Sequence, residues 1–580
     1  MARELVDAVV IGAGPNGLVA ANLLADAGWS VLVLEAQAEP GGAVRSGEVT
    51  APGFVSDLYS SFYPLALASP VIAGLHLEEH GLRWRHAPAA LAHPMIDGRA
   101  AVLSRDLATT AASVEACGAG DGEAWERLFA EWSGLAPALV PALFRPLPPV
   151  LPAARLLRRL GPAGALRFAR FAVLPVRRFG AEEFTGDAAT LLLAGNAMHT
   201  DLSPESAGSA LYGWLLAMLG QDVGFPTPEG GAGRLTDALV SRLRANGGRL
   251  ECDAPVTRVE VRDGRAVAVR VGGGSGGETV EVRRAVLADV TAPQLYLDLV
   301  GADQLPGRLL DDLRRFEWDG ATVKVDWALS GPIPWQQPEV GGAGTVHVGG
   351  GLDQLSDYSH QLALRQVPAE PFVIVGQTTT ADPTRSPAGT ESAWGYTHVP
   401  LHPAGDAGGA LRGDWADADD RARFVDRLEA RMEAYAPGFR DLVVGRHVQF
   451  PGDLEAADAN LAGGAVAGGT AAVHQQLIFR PTAGLGRPET PIEGLYLASA
   501  SAHPGGGVHG APGANAAAAA LRARTTGRLA LAATRALARR PTRPGLITGD
   551  ARTVPAGAPG PVTGGGRAVR AGAGSPRSGS

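Results

Sequence analysis

"LVDAVVIGAGPNGLVAANLLADAGWSVLVLEA", close to the N-terminus, constrains the fold more than any other stretch. Leu5 to Ile11 is an apolar run of strand length, Asn16 to Ala27 carries apolar residues at helical spacing until Gly28 stops it, and Ser30 to Leu34 is a second apolar run. Together they read as one βαβ unit. Gly12, Gly14 and Gly17 spell GxGxxG at the first turn, with Pro15 and Asn16 completing GAGPNG. The missing side chains permit a sharp bend, close approach of a pyrophosphate and tight packing of helix on sheet. A phosphate then rests on the positive end of the helix. The second strand ends at Glu35, where a carboxylate accepts both hydroxyl protons of an adenosine ribose. A bare GxGxxG also occurs in purely structural turns, but strand, helix, second strand and terminal acid together point to a dinucleotide.

The next segment, "EAQAEPGGAVRSGEVTAPGF", adds the pair Gly41 and Gly42 and then Arg45. It resembles the GGxxR extension of flavoprotein oxidases and desaturases, which favours FAD over NAD. FAD lies extended, so a further glycine turn and a guanidinium meet its pyrophosphate and ribityl region. The other reading is a surface loop with an ordinary arginine.

Near the other end, "TPIEGLYLASASAHPGGGVHGAPGANAAAAALRAR" reads as a short strand from Leu495, a glycine-rich loop and an alanine-rich helix beginning near Asn515. Gly505, Gly507 and Gly510 form another GxGxxG, yet no acidic residue lies between Glu493 and Asp550, so no separate NADH site is expected. Instead the segment is predicted to return to the first domain and to offer backbone amides and a helix N-terminus to the same FAD. Taken with GAGPNG, it resembles the phytoene dehydrogenase-related branch of the amine-oxidase-like flavoproteins. The resemblance runs through "FPTPEGGAGRLTDALVSRLRANGGRLECDAPVTRVEV" and "LAGGAVAGGTAAVHQQLIFRPT" in the middle of the chain.

What the resemblance implies is an α/β protein in which a Rossmann-like FAD-binding domain is interleaved with an α+β substrate-binding domain. The FAD-binding domain would take residues 1–100, 225–300 and 485–540, and the substrate domain 101–224 and 301–484. Residues implied to hold FAD are Gly12, Gly14, Pro15, Asn16, Gly17, Glu35, Gly41, Gly42, Arg45, the backbone of Val256, Ser499, Gly510, Gly513 and Asn515. The stretch 541–580, rich in Pro, Gly, Arg and Ser without apolar periodicity, is predicted to be a disordered tail.

Composition narrows the function classes. A chain of 580 residues with 46% hydrophobic and 19% charged residues reads as a soluble globular protein of two or more domains. Its net charge of -8 argues against nucleic acid as a partner. Cys117 and Cys252 stand outside any CxxC spacing, and neither HExxH nor GxSxG occurs, so no metal site, redox disulfide or nucleophile elbow is expected. The N-terminus enters an apolar strand at once, and no apolar run reaches about 18 residues; a cytoplasmic protein without a membrane span is expected. One segment opposes this balance: residues 134–180 are apolar, interrupted by proline, and carry eight arginines without an acid. Two readings stand, a surface that docks on a membrane by guanidinium–phosphate contact and a helical lid whose arginines pair with acids elsewhere.

Lys324, in "GATVKVDWALSGPIPW", is the only lysine among 51 basic residues. The segment resembles the one in which amine-oxidase-like flavoproteins place a lysine that holds a water near flavin N5. An ammonium is a compact donor that orients one water, which a forked guanidinium does poorly. The competing reading is a leftover lysine that discourages pairing at a sheet edge. His503 and His509 flank the C-terminal glycine loop as acid–base candidates or as simple backbone-bonding residues. Tyr59, Phe62 and Trp327 are candidate aromatic walls of a substrate channel, or core. The expected activity is that of an FAD-dependent oxidoreductase moving hydride between flavin N5 and a C–C or C–N bond of a lipophilic small molecule. The alternatives are an amine oxidase-type flavoenzyme and a non-catalytic FAD-binding regulatory protein.

Overall fold

Glu4–Ile11 lies at the centre of a parallel sheet in a computed structural model that describes residues 4–272 and 277–522. Val31–Leu34 pairs parallel on one side and Glu278–Ala288 parallel on the other. Arg249–Glu251 adds outside Val31–Leu34, and Leu495–Leu497 outside the second half of Glu278–Ala288, both parallel. The order 249–251, 31–34, 4–11, 278–288, 495–497 reverses direction beside the opening strand, as in doubly wound nucleotide folds. Val256–Arg262 and Arg265–Val271 continue the sheet as an antiparallel meander along the first half of Glu278–Ala288.

Helices Pro15–Asp26, Gly233–Ala245 and Ala511–Arg522 share one core on a face of this sheet. Their closeness depends on glycine. A Cβ on Gly17 would sit 2.2 Å from the Gly12 carbonyl oxygen, and one on Gly513 would sit 1.9 Å from that of Asn16. The last helix begins at Ala511 rather than near Asn515. Pro512 tolerates a helix start because its missing N–H has no intrahelical partner in the first turn.

A second sheet runs in the order 443–449, 321–329, 391–399, 373–377, 343–348, 89–94, 100–103. Its neighbours are antiparallel except for Ala343–Val348 against Ala89–Pro94. Val323, Val325 and Trp327 face helix Ala418–Tyr435, while the opposite face packs on helices Ala188–Ala197 and Ser209–Asp222. Strand alternation therefore turns Lys324 and Asp326 toward the latter pair of helices.

Two expected boundaries need correction. Residues 89–100 fall within the second sheet, not the nucleotide-binding part, because Ala89–Pro94 pairs with Ala343–Val348 and Ala100–Leu103. Beyond residue 300, Leu305, Leu309, Leu310 and Leu313 still pack with Leu295, Leu299 and Val286 of the first sheet's core, so the second region starts after that helix. Both sheets belong to one compact body. The stretch 541–580 and the end of the span 485–540 lie outside the described residues. Among the described residues, both cysteines are free and no helix is long and apolar enough to cross a membrane.

Because Gly513 sits against backbone whereas a Cβ on Gly307 would meet nothing within 4 Å, the two sites should respond oppositely to alanine. Gly513→Ala is expected to cost about 1–3 kcal/mol; Gly307→Ala should be neutral or slightly stabilising through helix propensity. Urea unfolding followed by circular dichroism measures both.

Candidate cofactor and substrate site

The expected cofactor residues come from four separate spans and meet at the C-terminal ends of the parallel strands. Glu35 accepts the Ala13 N–H at 2.7 Å and the Gln37 N–H at 2.9 Å, so its carboxylate lies against the first glycine turn. Each oxygen keeps a lone pair for a further donor. The Gly41 N–H donates to the Ala13 carbonyl at 2.9 Å, and a Cβ on Gly42 would lie 3.2 Å from the Gly14 Cα. The second glycine pair is thus folded onto the first motif. Arg45 donates through Nε to the Gly42 carbonyl at 3.0 Å and through Nη2 to the Tyr59 hydroxyl and the Ala457 carbonyl.

Ala254 donates its N–H to the Glu35 carbonyl at 2.8 Å, which brings Val256 alongside the acid. Ser499 is buried just past strand Leu495–Leu497, and its hydroxyl accepts the Ser501 N–H at 3.2 Å. Gly510 has φ +70°, and a Cβ there would press on Val19 of the first helix. Asn515 is buried with its Nδ2 unpartnered. An orphaned amide donor, a side-chain-free glycine surface and a carboxylate at the strand end together fit an extended adenine dinucleotide.

Three residues that the sequence reading passed over complete this site. Asp289 directly follows strand Glu278–Ala288 and accepts the Gly17 N–H at 2.7 Å. Burial pushes its carboxyl up to about 8, with Asp458 and Glu35 nearby adding to the shift. Asp458 is itself raised by burial, and Asn460 donates to the Asp289 carbonyl at 2.9 Å. The available signal was an acid at the end of the apolar run "AVLAD", the place where a parallel sheet presents ligands.

Lys324 is buried on an inner strand, between Glu391–Val399 and Val443–Gln449, so the edge-strand reading does not hold. Its ammonium pairs with Asp326, two residues on and on the same face. Burial raises the Asp326 carboxyl, Lys324 partly opposes this, and Oδ2 has no partner. Gln449 and Tyr396 stand opposite Lys324 on its two neighbouring strands. Gln449 lies near Tyr59, whose hydroxyl accepts from Arg45, so the strand beside Lys324 approaches the glycine pair. Phe62 packs near Trp394 on this side, ring centroids 6.1 Å apart. Trp327 takes the core reading rather than the channel-wall one: strand alternation sends it to the opposite face, where Nε1 donates to Glu429 at 3.0 Å and the ring packs on Phe439.

Both histidines of the C-terminal loop bond to backbone. His509 Nδ1 accepts the Ala511 N–H at 3.1 Å, and the ring lies 4.9 Å from that of Phe144. His503 Nε2 donates to the Arg145 carbonyl at 3.2 Å. Burial lowers each to about 4, so both are neutral at pH 7. Beside them the buried Arg480 donates to the carbonyls of Ala467, Gly469, Thr470 and Ala500, clamping the "FRP" segment to the C-terminal glycine loop.

The arginine-rich stretch divides. Arg170 and Arg178 pair with Glu182, and Arg177 with Glu205 and Asp353. Arg145, Arg155, Arg158, Arg159 and Arg167 form no ion pair among the described residues. On helix Val150–Phe171 the apolar Val150, Leu151, Leu157 and Leu166 are exposed beside them.

Residues 10–71 match the family model for an NAD(P)-binding Rossmann-like domain. The chain is 28% identical to pyridine nucleotide-disulfide oxidoreductase domain-containing protein 2 of Rattus norvegicus, covering 88% of this chain and 92% of that protein. It is 27% identical to a lycopene-forming phytoene desaturase of Pseudescherichia vulneris, covering 87% and 96%. Among solved structures, wild-type putrescine oxidase bound to putrescine superimposes with a TM-score of 0.55 at 18% identity, covering 89% of this chain and 98% of that one, a likeness of fold.

The buried titratable groups set a pH dependence of stability. His93, His503 and His509 are lowered to about 4 and His199 to about 3, all chiefly by burial. The unfolded chain takes up their protons below about pH 6.5 while the folded protein does not, so stability falls with pH in that range. Asp289 and Glu391, raised by burial to about 8 and about 7, act in the opposite sense, since their contribution is lost as pH rises. Four histidines outweigh two acids, so the melting temperature should be lower at pH 5 than at pH 7. Asp289→Asn removes one opposing group and should steepen that fall, as thermal scans across this range would show.

Proposed function

We propose that this chain is an FAD-dependent oxidoreductase that moves hydride between flavin N5 and a C–C or C–N bond of a largely apolar substrate, in the manner of a desaturase or dehydrogenase. The observation that carries this reading is the convergence of two glycine segments, Glu35 and Arg45 at the point of strand reversal, where Tyr59 meets Arg45 near the strand beside Lys324. The likeness to phytoene desaturase supports the reaction type.

FAD when bound supplies a two-electron acceptor. Gly12, Gly14, Gly17, Gly41 and Gly42 leave room for its pyrophosphate, Glu35 takes the ribose hydroxyls, and Asn515 and Arg45 supply donors. Lys324 gives one N–H to Asp326 and keeps two for a water or a substrate atom. Asp326 balances the buried charge, which spares the ammonium an uncompensated desolvation. Phe62, Leu65 and Trp394 keep the wall apolar and exclude water from a reactive centre. Trp394 and Tyr396 stack along a single strand, with 27° between their planes, rather than facing one another across a gap. That arrangement makes no cage for an amine and favours a carbon substrate.

The exposed apolar residues of helix Val150–Phe171 and the solvent-facing Arg155, Arg158 and Arg159, which form no ion pair among the described residues, support a peripheral contact with an anionic membrane, from which a lipophilic substrate is drawn. Flotation with phosphatidylserine vesicles is expected to carry the protein, and Arg155→Glu with Arg158→Glu is expected to abolish it. No flotation of the wild type removes this part of the proposal.

The cofactor reading is checked by a visible absorption spectrum of the purified protein. Glu35→Ala should lower the FAD-to-protein ratio. Lys324→Met should retain FAD yet slow reoxidation of the reduced enzyme by oxygen, by about 100-fold if a positioned proton donor is lost. Because Met leaves Asp326 buried and unpaired, Lys324→Met with Asp326→Asn separates chemistry from stability. Unchanged reoxidation in both variants rules out the role given to Lys324.

A further inference from the structure

The lysine row continues across the sheet. Lys324, Tyr396, Ile374 and His347 stand in register on four successive strands, and with about 4.8 Å between strands the row spans about 14 Å. At its far end His347 is fully buried, and its Nε2 lies 2.7 Å from Nε2 of His199, two residues past the end of helix Ala188–Ala197. That helix carries Gly195 where the imidazole packs, since a Cβ there would lie 2.1 Å from His347 Nδ1.

The two rings share one hydrogen bond, so one nitrogen donates and the other accepts. With Nε2 engaged, Nδ1 is the only polar atom that His199 offers to anything else. His199 retains accessible surface although burial dominates its environment, and so does Tyr396, whose ring lies 5.7 Å from that of His398. Leu65, Leu211 and Leu215, also partly accessible, pack on the same core. His347 Nδ1 and His398 Nε2 are buried without partners. The tautomers of the two neutral rings set the polarity of His199 Nδ1: with His347 donating to His199, Nδ1 carries a proton and donates to a carbonyl or hydroxyl oxygen, and with His199 donating, Nδ1 accepts from a hydroxyl.

We propose that His199, backed by His347 on the sheet row that also carries Tyr396, binds a hydroxyl or carbonyl group at one end of an otherwise apolar substrate whose other end meets Lys324. This rests on the reading of the Lys324 face as the substrate wall. A pure hydrocarbon set against His199 would leave its Nδ1 without a partner, which a hydrogen-bonding site penalises.

The test is equilibrium binding of farnesol and of farnesene to the purified holoprotein, followed by tryptophan fluorescence. Farnesol is expected to bind at least about tenfold more tightly, the scale of one buried hydrogen bond left unmade. His199→Phe is expected to bring the two ligands within about twofold of one another. If that variant fails to fold by circular dichroism, Tyr396→Phe, which removes only a hydroxyl, should reduce the preference. Equal or tighter binding of farnesene by the wild type, a preference retained in every folded variant, or binding of neither ligand overturns the inference. The flavin spectrum of the same preparation separates the two readings. A farnesol preference without FAD sinks the oxidoreductase reading alone, whereas FAD without the preference sinks the histidine site alone.

Discussion

Strand Glu278–Ala288 is the constraint on which the rest of the structure depends. It pairs with Glu4–Ile11 along its length and with Leu495–Leu497 at its end, and so draws both remote glycine segments to one edge of the sheet. Because the pairing is parallel, all these strands present their C-terminal ends together. Asp289, the next residue, then occupies the point of reversal and receives the Gly17 N–H. Contacts this distant in sequence are costly in loop closure, and the gain comes from the apolar side chains that the sheet buries on both faces.

Buried charge ties the two sheets together. Asp57 and Arg385 form a fully buried ion pair at 2.7 Å, and the same carboxylate takes the Ala232 N–H and the Ser46 and Ser61 hydroxyls. The hairpin after Arg45 is therefore held both to the helix Gly233–Ala245 and to the second sheet. Arg480 plays a comparable part near the C-terminal loop, with carbonyl oxygens as its partners. Arg480 tolerates burial through its carbonyl partners and Arg385 through the opposite charge of Asp57, with Nε donating to the Val55 carbonyl; removing one partner strands the other.

The nucleotide-binding unit could be read from sequence because its requirements are local. Gly12, Gly14, Gly17 and Glu35 lie within one βαβ unit, and each is demanded by backbone geometry or by a single ligand contact. The boundaries near 100 and 300 were misplaced for the converse reason. Ala89–Pro94 has the same apolar strand character whichever sheet receives it, and only its partners decide. Of the two readings of Trp327, channel wall or core, the structure selects core, because the period of two places residues adjacent in a strand on opposite faces. The same period makes Asp326 the lysine's companion, a pairing that "KVD" already contained.

The sequence by itself determined the parallel nucleotide-binding unit, the return of the C-terminal glycine segment as an expectation, and the singularity of Lys324. These follow from spacing and residue type, which act over a few residues at a time. Only the tertiary structure decided that Lys324 is buried with Asp326, that Tyr59 meets Arg45, and that His199 meets His347. Those contacts join side chains from strands and helices far apart in the chain, and no local pattern specifies which faces a folded sheet brings together.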